Sequence, residues 1–432
     1  MLAAACLIAM APAALAAELR IEAGTPVQPQ IHAAQAGDVI RLGPGQHAGP
    51  LLIDKSLTLS GESGAVLQGD GQGSVVTVTA EDVIIEGLEI RDSGTDLPAM
   101  DSGVLVQRTA KRAIVRNNQL LQNLFGVYLH GADDSLVENN TIIGRSDLRR
   151  SEAGNGVSIW NAPGAKVVGN TIEQGRDGIY VKTSRDNTFE GNRFSKLRYA
   201  IHYMYTERSR ILANHSRGNR GAWAIMFSNF IEVRDNVSDD DRDPGLLLNS
   251  ANYSKVTGNV VRNGHGRCTF VYNANGNEFS DNWFERCPIG IQFTAGSANN
   301  QVHGNAFIAN QTQVKYVGTR FIDWAHEGRG NYWSDNPAFD LDGDGIADRP
   351  YRPNDVMDEI LWTLPAAKML TNSPAVAAVR WAQARFPALH PGGVIDSAPL
   401  MQPATVPPPS ILPEPDFSWG DGSVTLDLGS NH

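Results

Sequence analysis

Cysteine is scarce: three in 432 residues, and Cys6 lies in a leader-like stretch without a lipobox context. So few cysteines exclude a disulfide framework as the main source of stability. Cys268 and Cys287 remain for the mature chain, 19 positions apart. Alternation points both inward as core thiols; a disulfide and metal ligation are the alternatives. Basic charge is also short, with 36 Lys and Arg against 47 Asp and Glu and a net charge of −11. This balance argues against nucleic acid and against a simple electrostatic membrane anchor. Long apolar runs are missing after residue 16. Residues 1–16 are apolar and small, ending Ala14-Leu15-Ala16, which reads as a secretory signal despite its missing basic start. The Leu-x-x-Leu-x-Leu frame of leucine-rich repeats is absent as well.

What the chain does have is a period. An apolar residue followed at the third position by Asn recurs with Asn118, Asn140, Asn170, Asn192, Asn214, Asn236, Asn259, Asn282 and Asn305, at steps of 22, 30, 22, 22, 22, 23, 23 and 23. Such a step is too short for paired helices and means a solenoid. Each period holds short alternating runs, such as Gly178-Ile179-Tyr180-Val181-Lys182, bounded by turn formers. The expected fold is all-β: a right-handed parallel β-helix over 17–337, with a short α-helical C-terminal extension. One Asn per coil is expected to take a left-handed corner and to join an internal ladder.

In these runs one parity is core, including Val127, Ile179, Ile201, Tyr203, Trp223, Ile225 and Phe227. The other points out: Tyr128, Ser158, Trp160, Tyr180, His202, Met204, Met226 and Ser228. Counting from the Asn anchors sets Met226 beside Met204; counting from the apolar starts sets it beside His202. Either way His202, Met204 and Met226 form an outward triangle of imidazole and thioethers, a donor set suited to Cu(I). The plainer alternative is a partner-binding patch, since Met and exposed aromatics adapt to partners. Tyr128, Trp160 and Tyr180 are partner-binding candidates on the same face and also permit sugar stacking. A carbohydrate-cleaving β-helix would need placed carboxylates there, and these runs supply none at outward positions. Asp239 to Asp243 is acidic but reads as a solvated loop beside Pro244-Gly245.

Beyond the stack, residues 338–355 are Asp-rich. Asp340, Asp342, Asp344, Ile346 and Asp348 follow the first nine positions of a Ca²⁺ loop, with Gly345 at the sixth. Tyr351 stands where the bidentate Glu belongs, leaving Asp355 as a substitute or an Asp-Gly turn without metal. Residues 356–390 read as two short helices parted by Ser373-Pro374, carrying Trp362 and Trp381 as partner-docking residues. Residues 391–432 read as a Pro-rich flexible tail.

Taken together, the signal, the Asn-cornered coils, Ala200-Ile201-His202-Tyr203-Met204-Tyr205, Gly328 to Asp335, and Asp340 to Tyr351 followed by a helical end resemble the NosD family. These are periplasmic copper-binding maturation proteins of nitrous-oxide reductase. The resemblance implies a non-enzymatic accessory role in building the reductase's copper centres. It implies as partners the apo-reductase, an ABC-type ATPase and permease, and a copper-binding lipoprotein. Residues 356–390 would then dock to the permease at the inner membrane.

Overall fold

Each coil folds as three short strands joined at corners, as in Ile114–Arg116, Gln119–Asn123 and Phe125–His130. The computed structural model describes residues 16–294, 296–318, 320–354, 360, 373–386 and 393–404. Every strand pairs in parallel with its counterparts in the coils before and after. Three sheets result. The first runs in 13 strands from Glu18–Ile21 to Gln301–His303, and the second in 13 from Gly45–Ala48 to Tyr332–Trp333. The third runs in 12, from Leu51–Ile53 to Thr312–Val317. Register sets like upon like, so Val115, Val137, Val167, Phe189, Ile211, Val233 and Val256 form one buried column. This stacking makes the chain a parallel β-solenoid, and one hydrophobic core runs its length.

The recurrent Asn residues form the internal ladder. Asn192 donates its amide to Asn214 Oδ1 at 2.9 Å and to the Val167 carbonyl at 2.8 Å. Its backbone N–H shares the same Oδ1 at 3.0 Å. Each buried donor at the corner is therefore matched by the next coil. The left-handed corner is made one residue earlier than expected, by Asn139, Gly191, Ala213 and Asp235 among others. The ladder Asn must turn its amide inward, so the exposed residue before it makes the bend.

Both ends are closed. The helix Val27–Ala33 buries Val27 and Ile31 against the first coils. At the other end Phe307 and Trp333 stack at 4.4 Å, with Trp324 buried beside them. Here the expected tail is corrected over residues 393–404. Gly393–Ile395 pairs in parallel with Phe321–Asp323, and Leu400 bridges to Tyr332 and Ile346. Asp396, wholly buried, accepts from Asn331 N–H at 2.7 Å and from Trp333 Nε1 at 2.8 Å, and so ends the Asn ladder.

Three further expectations are corrected. Cys268 and Cys287 are joined in a disulfide, with Cα atoms 5.7 Å apart. Cys287 sits at the corner before its strand, so a separation shorter than one coil still brings it onto the neighbouring coil. Phe227 is exposed and Ser228 buried, because the strand Gly221–Met226 ends before them and the alternation stops. Asp241 is buried rather than solvated. It accepts from Asn219 N–H at 2.7 Å and Ser238 Oγ at 2.6 Å, as a second internal ladder.

Of the C-terminal helices, Pro374–Arg385 is present, capped by Ser373, with Val376 buried and Trp381 exposed. Trp362, Asp355 and all but Ile360 of 356–362 lie outside the described residues, as do residues 1–15 and 405–432. Among the described residues no helix is long and apolar enough to cross a membrane.

Candidate metal site and outer face

The third sheet carries two outward rows. One holds Tyr128, Ser158, Tyr180, His202 and Ala224; the other holds His130, Trp160, Lys182, Met204, Met226 and Asn249. The register counted from the Asn anchors is the observed one. Met204 stands directly beside Met226, and His202 stands beside Ala224. Adjacent strands lie about 4.8 Å apart and alternate residues about 6.6 Å along a strand, so the three donor groups share one small area. Met204 and Met226 are half-buried on that face.

His202 is not open to solvent as expected: it is only 7 % exposed. Tyr180 and Tyr199 cover it, with ring centroids 5.1 and 5.3 Å away. Its Nδ1 lies 3.1 Å from Asp177 Oδ2, and Arg198 holds the same carboxylate at 2.8 and 2.5 Å. Burial pushes the Asp177 carboxyl up, but hydrogen bonds from His202 and Arg198 outweigh it, and the group sits below the usual carboxylate range. Nδ1 faces both the Asp177 carboxylate and, at 3.1 Å, the Arg198 guanidinium; with the proton on Nδ1 toward Asp177, Nε2 is the acceptor. That Nε2 is buried without a hydrogen-bond partner. Its lone pair therefore suits a metal. Tyr180 donates its hydroxyl to Met204 Sδ at 3.7 Å, so the ring that covers His202 also rests on the first thioether. Asp177 and Arg198 escaped sequence reasoning because they lie at the strand edge, outside the alternating run. Register brings Asp177 to His202, whereas Arg198 lies four residues before it, with Nη2 3.1 Å from Nδ1.

The other expected surface residues divide. Trp160 is exposed and stacks on His130 at 4.7 Å. Tyr128 packs edge-on against Phe125 at 5.2 Å, and burial raises its phenol. Ser158 is buried and accepts from Asn155 at 2.9 Å. An unforeseen feature lies at the corners after this sheet. Tyr205 stacks on Phe227 at 5.2 Å and Phe230 on Tyr253 at 5.5 Å, all four exposed and all at positive φ. On other coils the corner of Tyr205 and Phe227 holds Asn161, Thr183, Ser250 and Asn273, and that of Phe230 and Tyr253 holds Asp134, Gly164 and Asp186. The legible signal was an aromatic at a position whose period otherwise carries turn formers.

In the Asp-rich loop, carboxylates of Asp340, Asp342 and Asp348 lie within 4.8 Å of one another and could hold a cation. Asp344 turns instead to Ile346 N–H at 2.8 Å, and Ile346 pairs with Leu400.

Residues 143–338 match the family model described as periplasmic copper-binding protein (NosD). A protein of Stutzerimonas stutzeri named "Probable ABC transporter binding protein NosD" is 38% identical over 376 residues, covering 84% of this chain and 86% of its own. One of the same name from Pseudomonas aeruginosa is 40% identical over 382 residues, covering 85% and 89%. Among solved structures, the A-module of the Azotobacter vinelandii mannuronan C-5 epimerase AlgE6 superposes with a TM-score of 0.57 at 12% identity, covering 67% of this chain and 90% of that one. The Streptococcus pneumoniae adhesin PfbA gives 0.53 at 11%, covering 67% and 94%. At these identities the structures share the fold alone. The named sequence relatives are binding proteins.

Proposed function

The chain belongs to the NosD family of periplasmic copper-binding proteins, and from that membership we propose that it is a periplasmic copper carrier serving nitrous-oxide reductase. Copper(I) is its cargo, accepted at His202, Met204 and Met226 and passed to the apo-reductase. The observation that carries the reading is the buried, unpartnered Nε2 of His202 next to a pair of neighbouring methionines. One imidazole and two thioethers form a soft, low-coordinate donor set, which suits Cu(I) and permits ligand exchange with a client. Asp177 and Arg198 are positioning residues. They hold the imidazole with its free lone pair outward, and Tyr180 must swing aside from Met204 for the metal to enter.

The names of the relatives support an ABC transporter, with its ATPase and permease, as partner; a copper-binding lipoprotein would act as donor. The helix Pro374–Arg385 with exposed Trp381, and Trp362, would serve as the permease contact. Trp160, with Tyr128 and Tyr180 beside it, would line the client face. The Asp340 loop would take Ca²⁺ through Asp340, Asp342 and Asp348.

Cu(I) titration against a competing chelator tests the central reading. Wild type is expected to bind one ion tightly, and the Met204→Ala/Met226→Ala variant to lose at least about tenfold in affinity. Equal binding by both proteins would move the metal elsewhere. No binding by either would leave a metal-free docking scaffold.

A further inference from the structure

A column of arginines runs along the edge of the third sheet, beside the His202 face. Arg176, Arg198 and Arg220 occupy equivalent positions on three successive coils: Arg198 N–H donates to the Arg176 carbonyl at 2.7 Å, and Gly221 N–H to the Arg198 carbonyl at 2.8 Å. Arg242 follows at the next corner. Arg149 and Arg150, both exposed, precede the column in the 30-residue coil. Neighbouring coils are about 4.8 Å apart, and like charges opposite one another in adjacent strands repel.

Arg198 is answered by Asp177. Arg176, Arg220 and Arg242 make no salt bridge among the described residues, and Arg220 and Arg242 are exposed. Several arginines elsewhere are paired instead. Arg112 is paired with Asp82, Arg208 with Asp186, and Arg234 with Asp235. A chain of net charge −11 thus has carboxylates to spare, yet leaves this column open.

We propose that this column is a docking strip for the acidic edge of a partner protein, which it sets over the Met204 and Met226 face. A polypeptide fits better than an anionic bilayer for two reasons. The strip borders a groove of about 380 Å³ lined by Tyr199, Arg220, Asp243, Leu247, Arg267 and Phe270, which admits a protruding chain. The protein's overall negative charge also repels an extended anionic surface, whereas a local column acts within a Debye length. Arg267 stacks on Phe270 at 4.3 Å and grips Asp243, giving the groove a rigid wall.

The test uses metal-free full-length protein, so its outcome is independent of copper binding. The probe is a fluorescein-labelled oligoglutamate peptide, with phosphatidylglycerol vesicles in parallel. The peptide is expected to bind wild type with an affinity that falls as salt rises. Arg176→Ala/Arg220→Ala/Arg242→Ala is expected to weaken binding about tenfold. The corresponding Arg→Lys variant is expected to retain it, since the strip needs charge. Arg112→Ala/Arg208→Ala/Arg234→Ala removes the same charge from arginines already paired and is expected to bind like wild type. Equal loss in both Ala variants, or no peptide binding by wild type, overturns the proposal. Vesicle binding that depends on the column, without peptide binding, overturns it in favour of a membrane.

Discussion

At the scale of single residues, this fold is decided by what buried polar atoms find opposite them. Asp241 occupies a ladder position that Asn219 fills one coil earlier, and Ser238 meets it as Ser216 meets Asn219. Burial pushes its carboxyl up to about 6, against hydrogen bonds from Ser238, Ser216 and Asn219 that pull it down. A pKa raised on folding gives stability that is fully present below the unfolded value and lost as pH rises through about 6. Asp241→Asn keeps the shape and removes the titration. Its stability relative to wild type should therefore grow between pH 4 and pH 8, by about 2 kcal/mol, in denaturant unfolding. A difference that stays flat with pH would mean Asp241 remains ionised in the fold. The same logic explains His202. Its alternation was readable, but its burial under Tyr180 and Tyr199 was not, because those rings arrive from another coil and from a strand edge.

At the scale of elements, the coil is the unit and its corners carry the individuality. Strand cores repeat apolar residues so faithfully that register follows from the Asn anchors, including the pairing of Met204 with Met226. Corners broke the rule where a strand stopped early, as at Phe227, or where two coils were cross-linked. The Cys268–Cys287 bond ties one coil to the next in a chain whose repeats otherwise touch only their neighbours. Closing a loop of 19 residues removes unfolded-state entropy worth about 3 kcal/mol. Cys268→Ala/Cys287→Ala should lower the melting temperature while leaving the Cu(I) stoichiometry unchanged. If copper binding falls instead, the cysteines take part as thiols. The four aromatics at left-handed corners add strain of roughly 1–2 kcal/mol each. Their exposed stacking offsets only part of this, which marks the ridge as a surface feature and not a folding one.

At the scale of the whole molecule, the open ends of a stack are its weak points, and this chain closes its C-terminal end with two remote segments. Ala347 N–H donates to the Pro399 carbonyl at 2.7 Å, Met401 N–H to the Gly345 carbonyl at 3.0 Å, and Tyr351 pairs with Asp396. The Asp340 loop is thus part of the closure, and a cation held there would stabilise the end. Millimolar Ca²⁺ should raise the melting temperature by about 2 °C or more, an effect lost in Asp340→Asn/Asp348→Asn. A melting temperature indifferent to Ca²⁺ would leave an Asp-Gly turn alone.

The sequence by itself determined the period, the parallel stack and the inward and outward parity of the strands, and it left two registers for Met226, of which the fold takes the one that pairs it with Met204. Each of these repeats locally, and a repeat of fixed length carries its own register. Only the tertiary structure decided what meets across coils and ends: Asp177 and Arg198 on His202, Cys268 on Cys287, Asp396 on Asn331, and the unanswered arginine column. Apart from Arg198, four positions before His202, those contacts join residues from 19 to 65 positions apart, and they depend on where corners bend and where the last coil is sealed. Periodicity, which averages over coils, does not encode such departures from the repeat.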